Sequence, residues 1–81
     1  MPLITIKGIE GAFTSEQKQL AIKKITDALV EIEGENMRPI TWVIFEEIKA
    51  GDWGIGGNCL GPEHIRAVQS GAVSVRDAIG A

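Results

Sequence analysis

Apolar and polar positions alternate at the start of the chain. Ile4 and Ile6 share one face, with Leu3, Thr5 and Lys7 on the other, the two-residue period of a short strand. Gly8, Gly11 and the mixed stretch to Phe13 form a loop. The period then changes. Ile22, Ile25, Leu29 and Ile32 recur at spacings of three, four and three. Leu20, Ala21 and Ala28 widen this stripe, and Lys18, Lys23, Lys24, Asp27 and Glu31 take the other side. Thr14-Ser15-Glu16-Gln17 is a capping box and Gly34 a stop, which predicts a helix from Ser15 to about Glu33. Its stripe is too broad for open water and is expected to lie on a sheet. Glu35–Pro39 is a connector, and Ile40–Ile48, rich in β-branched and aromatic residues, is a second strand. Strand, helix, strand predicts a βαβ unit with parallel strands and a right-handed crossover.

Past the second strand the signal is punctuation. Four glycines within Gly51–Gly57 mark a tight bend of the kind a hairpin uses. It is no phosphate loop, since no Lys-Ser/Thr follows and it does not open a helix after a first strand. Gly61-Pro62-Glu63 starts a helix with proline at its first position, and His64 to Ser70 supplies one or two turns. Val73 to Ile79 is a candidate for a second short helix. The fold class is α/β: a β-α-β unit, a C-terminal β-hairpin and a short helical extension. The chain is expected to be one domain over 1–81, with a core at 2–58 and the extension at 61–81.

Length and composition narrow the function. A chain of 81 residues with 44% hydrophobic side chains builds only a small core, and one βαβ layer cannot cover its own sheet, so an oligomer is expected. Net charge −3 argues against a nucleic-acid partner, which needs a basic face. No apolar run approaches the roughly 20 residues of a membrane span. Met1-Pro2-Leu3-Ile4 lacks a basic stretch followed by an apolar run, so no signal peptide is expected and the cytoplasm is the expected location. One cysteine, Cys59, and one histidine, His64, leave no Cys-rich or His-based metal cluster. A Ser-His-Asp triad through His64 lacks a Gly-x-Ser-x-Gly turn. Cys59 is expected to be a small buried hydrophobe, and His64 a surface residue without a role.

The residue with most chemical content is Pro2. Initiator methionine is normally removed before a small residue, which leaves a free prolyl amine. An α-amino group titrates near 8 in water, roughly. Among apolar side chains its charged form loses solvation, and it becomes a neutral base at neutral pH. Proline at this position is also common without any catalytic role. Here it runs directly into a strand, which positions a terminus that would otherwise fray.

Pro2-Leu3-Ile4-Thr5-Ile6, Glu10-Gly11, Ser15-Glu16-Gln17-Lys18 and Asp52-Trp53-Gly54-Ile55-Gly56-Gly57 together resemble the 4-oxalocrotonate tautomerase family, over about residues 2–58. The resemblance implies hexamers built as trimers of dimers. It also implies a catalytic N-terminal proline that moves protons between carbon and oxygen of enols, with no cofactor and no metal. Pro2 matches the catalytic base, and Trp53 the pocket aromatic before Gly-Ile-Gly-Gly, usually Phe. Two positions depart from the pattern. The family places an arginine just after the Glu-Gly pair, where this chain has Ala12 and Phe13, and another in the second strand, where it has Trp42. A guanidinium holds a carboxylate bidentately, and none of these side chains does.

Trp42, Trp53 and Phe13 would favour a flat, apolar substrate such as an arylpyruvate enol. Arg38 and Lys7 are the nearby cations that stand in for a lost arginine, or remain solvated. Trp42 is either packed, in the core or at a subunit interface, or in contact with substrate. The expected function is a tautomerase acting on an unsaturated or aryl α-keto acid, with Pro2 as base and then acid and Trp53, Trp42 and Arg38 at the substrate. The expected assembly is a homo-hexamer. Alternatives are a non-catalytic subunit, in a hetero-hexamer whose partner brings the arginines, and hydration or dehalogenation of an unsaturated acid by a cationic Pro2.

Overall fold

A computed structural model describes residues 1–71 and 74. The expected second helix over Val73–Ile79 lies outside the described residues. β1 is Leu3–Ile9, α1 Ser15–Glu33, β2 Trp42–Ile48, β3 Trp53–Ile55, β4 Asn58–Leu60 and α2 Pro62–Gln69. β1 pairs with β2, and β3 with β4. None of these helices is long and apolar enough to cross a membrane.

Each element starts where its local chemistry allows. The Gln17 N–H donates to Thr14 Oγ1 (3.1 Å), and the Thr14 N–H donates back to Gln17 Oε1 (2.9 Å), so two orphan donors of α1 are satisfied reciprocally. At the other end Gly34 adopts φ 104° and its N–H donates to the Val30 carbonyl at 2.8 Å. The expected connector is instead a 3-10 helix, Glu35–Ile40, closed by Met37 N–H to the Gly34 carbonyl and Thr41 N–H to the Arg38 carbonyl. β2 therefore begins at Trp42, two residues later than the hydrophobic run suggests.

At one end of the β1–β2 pair the Trp42 N–H donates to the Pro2 carbonyl (3.0 Å), and at the other the Glu10 N–H donates to the Ile48 carbonyl (2.7 Å). Early residue meets early residue and late meets late, so the strands are parallel and in a single register. Leu3 then lies beside Trp42 and Thr5 beside Ile44, all four exposed, while Ile4, Ile6, Val43 and Phe45 are half-buried on the other face.

The chain forms two compact units, one of Met1–Lys7 with Thr14–Glu46, the other of Gly8–Phe13 with the chain from Glu47 on. In the first, Val30 and Thr41 are buried. α1 turns Ile22, Thr26, Leu29 and Val30 inward, whereas Ile32 is 84% exposed, which corrects its expected place on the covered stripe. In the second, Ile9 and Leu60 are buried. The hairpin register pairs Trp53 with Leu60, Gly54 with Cys59 and Ile55 with Asn58. Its turn residues Gly56 and Gly57 have φ 57° and 86°, the two consecutive left-handed conformations of a type I′ hairpin, which glycine adopts without a Cβ clash. Cys59 is exposed, against expectation, because the strand turns its neighbour Leu60 inward.

Candidate active site

Pro2 immediately precedes β1 and is half-buried. Its carbonyl accepts the Trp42 N–H, so the first possible peptide plane of a trimmed chain is already paired into the sheet. That bond sets the backbone of Trp42 beside that of Pro2. The Trp42 side chain, however, is 51% exposed beside Leu3 at 57%, so packing in the protomer core is not its role.

One residue earlier stands Thr41, the buried polar side chain among the described residues. Its hydroxyl lies between the Met37 carbonyl (2.8 Å) and the Glu33 carboxylate, which share its one proton. Sequence reading missed Thr41, since a β-branched residue inside a hydrophobic run looks like ordinary strand.

Arg38 sits in the 3-10 helix, and its backbone carbonyl receives the Thr41 N–H. Its guanidinium is occupied. Nε donates to Glu35 Oε1 at 2.7 Å, Nη1 to Asp27 Oδ1 at 2.8 Å and Nη2 to Glu35 Oε2 at 3.4 Å. Asp27 also accepts from Lys23 Nζ at 2.7 Å. The hydrogen bonds from Lys23 and then Arg38 hold Asp27 below the usual carboxylate range, and that from Arg38 does the same for Glu35. The same pairing raises Arg38 itself.

Trp53 opens the hairpin in the other unit, half-buried, with glycine on its C-terminal side. The loop after β1 is fixed in that unit too. Gly11 has φ 81°, and a Cβ on it would meet the Pro62 ring at 3.2 Å, so α2 starts directly against this loop. Arg66 of α2 reaches the Gly11 carbonyl through Nη1 at 3.4 Å. Phe13, at the loop's end, is 38% exposed. His64 is not idle: its Nδ1 accepts the Gly61 N–H at 2.9 Å and so closes the N-terminus of α2. A histidine three places after a Gly-Pro helix start was the available signal.

The family model for the tautomerase enzyme matches residues 2–62. The chain belongs to the tautomerase family. It is 39% identical over 60 residues to a probable tautomerase of Dickeya dadantii, a match covering 74% of this chain and 88% of that one. It is 35% identical over 60 residues to the 2-hydroxymuconate tautomerase of Bacillus subtilis, covering 74% and 94%. Among solved structures, a 4-oxalocrotonate tautomerase isozyme of Methylibium petroleiphilum superposes with a TM-score of 0.63 at 34% identity, covering 72% of this chain and 90% of that one. The β-α-β fold with its hairpin is thus the fold of this tautomerase family. The family match ends at Pro62, so most of α2, including His64 and Arg66, lies beyond it.

Proposed function

We propose that this tautomerase interconverts enol and keto forms of an unsaturated or aryl α-keto acid, without a cofactor, through the amine of Pro2 exposed by removal of Met1. The observation that carries the reading is the pinned start of β1: the Pro2 carbonyl held by the Trp42 N–H at 3.0 Å, with the proline itself half-buried. A terminal amine so placed keeps one position and loses part of its solvation, which favours its neutral form. The neutral nitrogen takes the enol O–H proton as the C=O forms, and the resulting ammonium returns a proton to carbon. Nothing is oxidised or reduced, and the amine is restored each turnover.

Trp42 and Trp53 are proposed as flat apolar contacts for the substrate. Arg38 as a carboxylate ligand has to exchange Glu35 or Asp27 for the substrate, so its contribution is the smallest of the three. A hexamer in the cytoplasm is the proposed working form.

The test is Pro2→Ala on phenylenolpyruvate, with loss of Met1 from the wild type checked by mass. A clear rate loss, with circular dichroism unchanged, is expected when the ring-held secondary amine is exchanged for the mobile primary amine of alanine. Retained Met1, or full activity in the variant, sinks the reading.

A second reading has its own support. Ala12, Phe13 and Trp42 stand where cations would hold a dicarboxylate, and Arg38 is already paired. A non-catalytic subunit of a mixed hexamer fits those facts. It predicts no wild-type activity on several enols and activity on mixing with an arginine-bearing partner.

A further inference from the structure

We propose that Thr41 is a positioning residue for the Pro2 nitrogen, acting through the backbone bond from Trp42 to the Pro2 carbonyl; this rests on Pro2 being the base. In proline the ring fixes the nitrogen relative to Cα, so once Met1 is gone one backbone rotation, about the Cα–C bond, decides where the amine points. The Trp42 N–H holds the carbonyl side of that rotation at 3.0 Å. What holds Trp42 is the residue before it. Thr41 is buried, and three contacts fix it: its N–H on the Arg38 carbonyl (3.2 Å), and its hydroxyl between the Met37 carbonyl (2.8 Å) and the Glu33 carboxylate.

These partners come from two elements. Glu33 is the last residue of α1, and Met37 and Arg38 belong to the 3-10 helix that follows. Thr41 therefore ties the start of β2 to the end of the helix, next to the residue whose N–H holds the Pro2 carbonyl. Removing this hydroxyl leaves the Met37 carbonyl and the Glu33 carboxylate without its donor, which an apolar residue of the same shape does not restore. Placing a base about 1 Å off line costs on the order of 10²-fold in rate, so a brace at this point is read in the chemistry as well as in stability.

The experiment compares Thr41→Val, which keeps the shape and loses the hydroxyl, with Thr41→Ser, which keeps the hydroxyl. It is run on the full chain trimmed of Met1. Three quantities are read: hydrogen exchange of the Trp42 amide by NMR, kcat and KM on phenylenolpyruvate, and the acid limb of the kcat/KM profile. Thr41→Val should speed Trp42 exchange, lower kcat about tenfold or more with little change in KM, and move the acid limb. Thr41→Ser should stay within about twofold of wild type. If Thr41→Val fails to fold, Glu33→Leu removes one of the two acceptors while the Met37 carbonyl keeps the hydroxyl, and should give a smaller kcat loss in the same direction. A Thr41→Val enzyme with lowered melting temperature but unchanged kcat and pH profile overturns the inference, as does Thr41→Ser no better than Thr41→Val. Pro2→Ala run alongside separates the two ideas. An inactive Pro2→Ala beside a fully active Thr41→Val defeats only the positioning role, whereas a fully active Pro2→Ala defeats both.

Discussion

In the unit of β1, α1 and the start of β2, side chains hold the geometry: Thr14 and Gln17 close the helix, Arg38 joins Asp27 to Glu35, and Thr41 is wedged between Glu33 and Met37. In the unit of the β1–α1 loop, the hairpin and α2, backbone conformation does much of that work. Gly56 and Gly57 turn left-handed, Gly11 does the same against Pro62, and His64 caps a helix whose start is a proline. The first kind of order comes from a periodic pattern and tolerates changes off the pattern. The second depends on a few glycines whose left-handed φ other residues adopt only at a cost.

The sharpest way to separate the two units is to remove one buried side chain and one exposed side chain of similar size. Leu60, buried at 4% in the hairpin unit, should cost about 2–5 kcal/mol on truncation to alanine, a fall in melting temperature of about 10 °C or more for a chain this small. Ile32, 84% exposed on α1, should change stability by about 0.5 kcal/mol or less when made Lys. Equal losses by thermal unfolding would mean that Ile32 is covered in the assembly, and the protomer would be the wrong frame for it.

Next in size is the turn. Gly57→Ala adds a Cβ with nothing within 4 Å of it, so the whole effect is the left-handed φ of 86°. The expected loss is about 1–2 kcal/mol, measured by denaturant unfolding. Gly61→Ala is the contrast: its backbone is extended, and only the flexible Glu63 carboxylate, at 2.7 Å, has to move. A smaller loss is expected there.

Much of this architecture is legible in the sequence. The capping box, the stop at Gly34 and the helical period fix α1 to the residue, because each signal is a local hydrogen bond or a local φ. The type of the hairpin follows from two adjacent glycines for the same reason. The failures are where tertiary contact decides. A spacing of three, four and three admits several phases, and the structure centres the buried face on Ile22, Thr26, Leu29, Val30 and Glu33, which leaves Ile25 and Ile32 on the flank. The 3-10 helix hides in what looks like strand because Ile40 is apolar and β-branched. Of the candidate site, Pro2 stands out in the sequence by its position, whereas its bond to Trp42 does not, because it joins two strands far apart in the chain. The partners of Arg38 were not, since Asp27 lies eleven residues away on another element.

The smallest expected effect tests that last pairing. Asp27 and Glu35 are both held below their usual values of 3.8 and 4.5, Asp27 by Lys23 first and Arg38 second, Glu35 by Arg38. A carboxylate depressed in the folded state contributes stability that is fully present above its unfolded value and is lost as pH falls through the folded one. Arg38→Gln should therefore lower the melting temperature slightly at pH 7. The gap to wild type should hold down to about pH 5 and close as both carboxyls protonate below that. All three side chains are exposed, so salt should shrink the gap as well. The same variant bears on function. If Arg38 only braces the 3-10 helix, its KM for phenylenolpyruvate stays at the wild-type value while stability moves. If it exchanges its partners for a substrate carboxylate, KM rises and kcat follows the Pro2 protonation state unchanged. A rise in KM with no pH-dependent change in stability would mean that the guanidinium spends its time on substrate and the pairing with Glu35 and Asp27 is incidental.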